Sequence, residues 1–356
     1  MARLFIPGPT DVAPEILQAQ AQPMIGHRSE DCDALIRRIQ PRLRQVLGTR
    51  QRVFVTASSG SGLQEAALRN LVTERLLCCV CGAFGERWYD VARGNGIAVD
   101  RLDAEWGEPN LPEAVEAALR ARVYDTLAIV HNETSTGVEN PIAEIAAVAR
   151  RVQPELCFLV DAVSSAGGVD IQTDEWGLDV VLTSSQKCFA LPPGLAFAAV
   201  SDRAMDRART VPHRGWYFDF VLLEKYLQRD TTPATPAISL LFALDAQLDR
   251  ILKEGLPARF ARHAAMARRT QEWGADRFGL LASEGFRSKT MTALRNDRAV
   301  SVLELNHHLA RWEMRLADGY GKLKGKSLRI AHMGEIQPAD LETLLARIDE
   351  FLPARS

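Results

Sequence analysis

The chain has 356 residues, 47% of them hydrophobic, enough to build one large domain with a sizeable core and a smaller one beside it. Its 43 basic and 45 acidic side chains leave a formal net charge of -2, so no bulk field draws it to nucleic acid or to an anionic membrane, and small-molecule chemistry is the expectation. Apolar segments stop short of the roughly 18 residues of a membrane span, six cysteines make no disulfide framework in a chain of this size, and the Met1-Ala2-Arg3-Leu4 start lacks the features of a secretion signal; the expected location is cytoplasmic.

The opening LFIPGPTDVAPEIL reads as an N-terminal arm over residues 1–20, with a short extended run, a Pro-Gly-Pro turn and Asp11 as a helix cap. From Asp31 to Leu47 the residues Leu35, Ile36, Ile39, Leu43, Val46 and Leu47 recur at helical spacing, with arginines on the opposite, solvated face. RVFVTASSGSGLQEAALRNLV then predicts a strand, a small-residue loop and a helix. Backbone N–H groups at such a helix start can cradle a phosphate. On local evidence an ordinary tight turn fits Ser59-Gly60-Ser61-Gly62 equally, since the run lacks both the GxGxxG spacing and a P-loop lysine. Cys78 and Cys81 have CxxC spacing, but no second pair accompanies them, and LLCCVC reads as a buried strand rather than a metal or redox site.

Strands and helices then alternate through LLCCVCGAFG, GIAVDRLDAEWG and TLAIVHNETSTG, with a helix from about Ile142 to Val152. This pattern predicts an α/β fold with a mostly parallel sheet covered on both faces, and ligands bind such sheets beyond the carboxyl ends of the strands. After Val200 the pattern changes: HRGWYFDF is aromatic and non-periodic, and TTPATP reads as an extended loop. Long amphipathic helices follow from Ile238 to Lys253 and from Pro257 to Phe278, then a smaller C-terminal α/β unit. The expected organisation is a large domain over residues 21–240 and a small one over 241–356.

The centre of the chain is Phe158 to Gly194. One apolar strand delivers Asp161 at its end, and a second, Val180-Val181-Leu182, delivers Thr183-Ser184-Ser185-Gln186-Lys187. A carboxylate and an amine therefore meet at one sheet edge. Pyridoxal phosphate chemistry needs that pair: a lysine to hold the aldehyde as a Schiff base and an anion to keep the pyridine nitrogen protonated. Ser59 to Ser61, Phe84 and Thr134 lie just past other strand ends, so five connections converge on one crevice. The bland alternatives are a turn-capping Asp161, a core Phe84 and an Arg329 paired locally, but a lysine flanked by buried segments needs a reason.

The pieces PGPT, GHRS, SSGSGLQEAAL, HNETSTG, VDAVSSAGG, SSQK and LRIAHMG occur in an order that resembles the class V aminotransferases of the fold-type I pyridoxal phosphate enzymes, nearest the alanine–glyoxylate and serine–pyruvate branch. The resemblance runs from Pro7 to about Gly334 and implies a seven-stranded sheet in the large domain. It implies Lys187 as the Schiff-base lysine, Asp161 beneath the pyridine nitrogen, and Val163 and Phe84 on the two ring faces. Thr134 would bond the phenolic oxygen, and Ser59, Gly60, Ser61 and Gln186 would hold the phosphate. Thr232 and Thr235 would reach that phosphate from the neighbouring subunit of a homodimer, while Gly8 and Arg329 would take the substrate, the arginine gripping its carboxylate bidentately. The chain departs from the family pattern at Ala331, where glycine is common, at Ser61, where some relatives carry histidine or threonine, and at Thr232, where tyrosine can stand.

The implied activity is ping-pong transamination from a small amino acid, alanine or serine first, to a 2-oxo acid, glyoxylate or pyruvate first. No metal, nucleic acid or membrane enters. His213-Arg214-Gly215-Trp216-Tyr217 is a candidate for side-chain selection. Other donors on the same scaffold (aspartate, phosphoserine, aminoethylphosphonate) are the nearest alternatives, then cysteine desulfuration, then a cofactor-less binding protein.

Overall fold

A computed structural model of the chain describes residues 3–352. Its strands are β1 (Arg3–Phe5), β2 (Arg52–Ala57), β3 (Leu76–Val80), β4 (Val99–Asp103), β5 (Thr126–Val130), β6 (Asn132–Glu133), β7 (Val138–Glu139), β8 (Cys157–Asp161), β9 (Val180–Ser184), β10 (Leu195–Val200), β11 (Met291–Arg295), β12 (Met314–Asp318) and β13 (Ser327–Ala331).

Seven of these form the main sheet, in the order β2-β10-β9-β8-β5-β3-β4. The pairs from β9 through β8, β5 and β3 to β4 are parallel, and β10 runs antiparallel between β9 and β2. Strands β3, β5, β8, β9 and β10 are buried at every residue, as near-continuous apolar runs covered on both faces must be, while β4, with Asp100, Arg101 and Asp103, forms a polar edge.

Alternation along each strand feeds two cores. Phe158 and Val160 face one core with Leu35 and Leu43 of the helix Glu30–Val46, whereas Leu159 faces the other with Leu63 and Trp88. Each fully buried side chain of this size contributes about 1.5–3 kcal/mol relative to exposure. LLCCVC lies in this sheet as expected, and all six cysteines are free and buried.

A second sheet has the order β1-β12-β13-β11 and packs Phe5, Leu294, Leu316, Ile330 and Leu344 into a third core. Strand β1 thus begins the chain but pairs in parallel with β12 near its end. The helix Ile238–Glu254 starts at the expected division, yet sends Leu241, Leu244, Leu248 and Ile251 into the first core. Asp11 does not cap a helix. The first helix is Pro14–Ala19 with Ala13 at its start, and the Asp11 carboxylate instead accepts from the Leu4 N–H at 3.1 and 3.2 Å, because β1 passes within its reach.

Candidate active site

Asp161 closes β8 at 4% exposure. Its Oδ1 accepts from the Val163 N–H at 2.8 Å and its Oδ2 from Gln64 Nε2 at 2.7 Å. Burial pushes the carboxyl up, while those two bonds and the charges of Arg87 and Lys187 pull it down. The carboxylate is therefore held and oriented, and among the described residues no cation is bonded to it.

Lys187 follows β9 by three residues and is 9% exposed, with Nζ donating to the Pro7 carbonyl. Burial first, and the nearby Arg329 charge second, lower its pKa to about 8. The turn is anchored on both sides of the lysine. Thr10 N–H donates to the Gln186 carbonyl at 3.0 Å and Thr10 Oγ1 to the Lys187 carbonyl at 3.1 Å. Arg259, 1% exposed, donates to the Cys188 carbonyl at 2.7 Å and the Gly167 carbonyl at 3.0 Å while pairing with Glu254 and Glu335.

Gly8 lies directly against the lysine. At φ +89° it occupies backbone space that favours glycine, and a Cβ there would come within 2.5 Å of Lys187 Cδ and 2.6 Å of Nζ. Gly60 opens the helix Gly60–Leu71, where a Cβ would fall 2.5 Å from Val163 Cγ2. The Ser59 side chain makes no cap bond to that helix, so its first N–H groups are available to an anion. Ser59 is exposed and Ser61 half-buried.

Arg329, on β13 and 8% exposed, donates from Nε to the Asp318 carbonyl at 2.9 Å and from Nη1 to the Thr134 carbonyl at 3.2 Å. Those bonds aim the guanidinium and leave part of its fork unused. Thr134 Oγ1 shares a 2.6 Å hydrogen bond with Ser164 Oγ. Phe84 stacks on Tyr320 with centroids 5.4 Å apart and planes 17° apart, and Arg329 lies over Tyr320 at 5.6 Å.

The structure thus gathers Gly8, Gly60, Asp161, Val163 and Lys187 at one sheet edge, joined through Thr134 to Arg329 and through Tyr320 to Phe84. Thr232 and Thr235 lie in a loop beside Val55, Thr56 and Ala57 at the end of β2. Thr232 Oγ1 donates to the Ala234 carbonyl at 2.7 Å, the Arg28 guanidinium holds the Thr232 and Pro233 carbonyls, and Thr235 is exposed. Among the described residues no hydrogen bond joins either threonine to Lys187, Asp161 or the Ser59 loop. The His213–Tyr217 segment lies against the helix Gly60–Leu71, where Arg69 donates to the His213 carbonyl; Arg214 pairs with Asp219, and Trp216 and Tyr217 are exposed.

Several partners escaped the sequence reading. Gln64 sits one turn into the helix whose loop attracted notice. Glu133, fully buried, accepts from the N–H groups of Phe84 and Gly85, each at 3.0 Å, and from Ser135 N–H and Oγ at 3.0 and 2.6 Å. It therefore caps the helix Ala83–Gly94 and fixes where Phe84 points. A glutamate inside HNETSTG directly after an apolar strand was the available signal.

These residues fit pyridoxal phosphate. Ser184 Oγ and Gln186 Oε1 are buried without a partner, and Ser184 Oγ lies 3.9 Å from the Cβ position of Gly60, beside the uncapped helix start. Asp161 and Lys187 are a carboxylate and an amine of the kinds that could face a pyridine nitrogen and condense with an aldehyde. Among the described residues no group of three or more His, Cys, Asp or Glu side chains is arranged to hold a metal ion.

Comparison with known proteins points the same way. Residues 15–313 match the family model described as aminotransferase class-V. An uncharacterised aminotransferase of Methanocaldococcus jannaschii is 36% identical, over 97% of this chain and 91% of its own. The L-aspartate–glyoxylate aminotransferase of Paracoccus denitrificans is 33% identical, over 94% and 87%. The crystal structure of an alanine–glyoxylate aminotransferase from Nostoc sp. superposes with a TM-score of 0.92 at 30% identity, over 99% of this chain and 95% of that one. The chain belongs to the class V aminotransferases, a family of pyridoxal phosphate-dependent transaminases, and its seven-stranded sheet is that of their fold.

Proposed function

We propose that this aminotransferase moves the amino group of a small amino acid, alanine or serine first, to glyoxylate or pyruvate. The observation that carries the reading is that Lys187, Asp161 and Arg329 are all buried and lie close enough for Arg329 and Asp161 to act on the lysine's charge, with no carboxylate paired to the lysine or the arginine among the described residues. The named relatives support the acceptor: two of them, with different donors, share glyoxylate in their names.

When bound, pyridoxal phosphate supplies an aldehyde that can be held by an amine and a ring that takes up the electron pair left by a departing α-proton. Arg329 holds the donor's α-carboxylate through the free part of its fork, which orients the α-carbon toward Lys187. Nζ of Lys187 takes the α-proton and returns it across the transfer. With its pKa lowered to about 8, about a tenth of the amine is unprotonated at pH 7, far more than for an ordinary lysine, as a base requires. Asp161 would face the ring nitrogen, held in place by Gln64 and the Val163 N–H, whose hydrogen bonds favour its ionised form against burial. Val163 and Phe84 would bound the ring, Thr134 its phenolic oxygen, and Ser59, Gly60, Ser61 and Gln186 the phosphate, while Gly8 leaves room beside Lys187.

We further propose a homodimer in which Thr232 and Thr235 complete the partner's phosphate site. The lack of any hydrogen bond from either threonine to Lys187 or Asp161 among the described residues supports it, as does the exposed Tyr217 beside that loop. A cytoplasmic location is supported by six free, buried cysteines. No described helix is long and apolar enough to cross a membrane. Burial pushes the Cys157 and Cys188 thiols up to about 12, which disfavours the desulfurase alternative, since that chemistry needs a mobile, ionisable cysteine.

Adding alanine, serine, aspartate and phosphoserine separately to the cofactor-loaded protein tests the reading. Alanine or serine should bleach the visible band without any acceptor present. Sulfide release from cysteine, with no amino donor changing the spectrum, would overturn it.

A further inference from the structure

Arg87 lies in the same crevice and has no role so far. It sits one turn after Phe84 on the helix Ala83–Gly94, with its guanidinium over the Phe84 ring at 4.8 Å. Nη1 donates to Ser61 Oγ at 3.2 Å and Nη2 to Tyr320 Oη at 3.0 Å. Both acceptors are neutral hydroxyls. The side chain is half-buried, and no carboxylate among the described residues forms an ion pair with it.

Several other shielded arginines pair with carboxylates: Arg42 with Asp245 and Asp249, Arg214 with Asp219, and Arg259 with Glu254 and Glu335. Arg329 resembles Arg87 instead, bonded to carbonyls rather than carboxylates, and the two guanidiniums flank the same Phe84–Tyr320 pair. A guanidinium partly withdrawn from water and left with neutral acceptors is a site prepared for an anion. Its charge also reaches Asp161 and Lys187, favouring the ionised carboxylate and the neutral amine.

We propose that Arg87, together with Ser61 and Tyr320, binds an anionic oxygen group of cofactor or substrate, as a second oxyanion site beside Arg329. This rests on the aminotransferase reading above. The oxyanion has two sources: the phosphate of pyridoxal phosphate, reached through Ser61, or the side-chain carboxylate of a dicarboxylic donor such as aspartate, reached through the Tyr320 side.

The full chain and its Arg87→Gln and Arg87→Lys variants are titrated with pyridoxal phosphate and with pyridoxal, followed by visible absorbance and tryptophan fluorescence. Loaded protein is then titrated with aspartate and with alanine. If the phosphate is the ligand, Arg87→Gln weakens pyridoxal phosphate binding by about tenfold or more and leaves pyridoxal unchanged. If the side-chain carboxylate is the ligand, cofactor binding is unchanged and the half-saturating aspartate concentration rises by about tenfold or more, with alanine unaffected. Arg87→Lys recovers part of either loss, because it keeps the charge and forfeits the planar fork. Equal losses for both members of each pair, or no loss at all, in a variant with an unshifted thermal midpoint would overturn the assignment. A wild-type protein that takes up no cofactor would overturn the aminotransferase reading as well.

Discussion

The Lys187 turn and the Thr231–Pro236 loop both carry residues expected on the same cofactor, yet they are built in opposite ways. The turn is buried, follows a strand shielded at every residue, and is pinned by Thr10, Gly8 and the fully buried Arg259. The loop is half-exposed and tied to its own chain chiefly through the exposed Arg28, which grips the Thr232 and Pro233 carbonyls. A group that must move a proton between fixed atoms needs rigid support, whereas a segment that only adds hydrogen bonds to a neighbour can remain a surface loop until that neighbour arrives. The contrast predicts where substitutions act on chemistry, on stability or on neither.

The largest effect belongs to the turn. Lys187→Ala should lower turnover by at least about 10²–10⁴-fold, the share that positioned proton transfer contributes, while the circular dichroism spectrum stays that of the wild type. Residual activity near the wild-type rate would erase the distinction between turn and loop. Arg259→Met comes next: Glu254 keeps Arg262 and Glu335 keeps Arg250, but the Cys188 and Gly167 carbonyls lose their buried donor. Each buried acceptor left without a partner costs about 1–3 kcal/mol, readable as a shifted denaturant midpoint.

Gly8→Ala should cost about 1–3 kcal/mol, through its positive φ and the contact with Lys187, and should weaken cofactor uptake more than it lowers the thermal midpoint. The pH response follows from the lowered lysine. Its folded pKa, about 8, lies below the ordinary 10.5, so between those values the unfolded chain binds more protons and this group's contribution to stability rises with pH. In the cofactor-free protein, acylation of Lys187 followed by mass spectrometry should have its midpoint near 8, and a midpoint above 10 would mean that the amine is solvated. The smallest effect is Thr235→Ala, within about 0.5 kcal/mol of wild type in unfolding experiments because the residue is exposed. A loss of cofactor affinity without loss of stability would place that threonine in a partner's site.

What was legible in the sequence follows the same division. Asp161 and Lys187 could be placed at one end of the sheet because Asp161 ends β8 and Lys187 follows β9 by three residues, and the apolar run of each strand fixes its place in the sheet. Phe84 could be named, but not Glu133, whose carboxylate aims it, because the two meet across 49 positions of sequence through backbone N–H groups that no side-chain pattern reveals. Asp11 looked like a helix cap and proved to bind Leu4, since the position of β1 beside it depends on a pairing with β12 more than 300 residues away. Arg87 and Tyr320 likewise come together only through tertiary packing, from the helix Ala83–Gly94 and from the loop after β12.

The most direct test of the central claim is reductive trapping. The protein is incubated with pyridoxal phosphate, treated with borohydride, digested and read by mass spectrometry. The account predicts a stable cofactor adduct on the peptide carrying Lys187, absent after Lys187→Ala. An adduct on a different lysine, or none on any peptide of the wild-type protein, would contradict it.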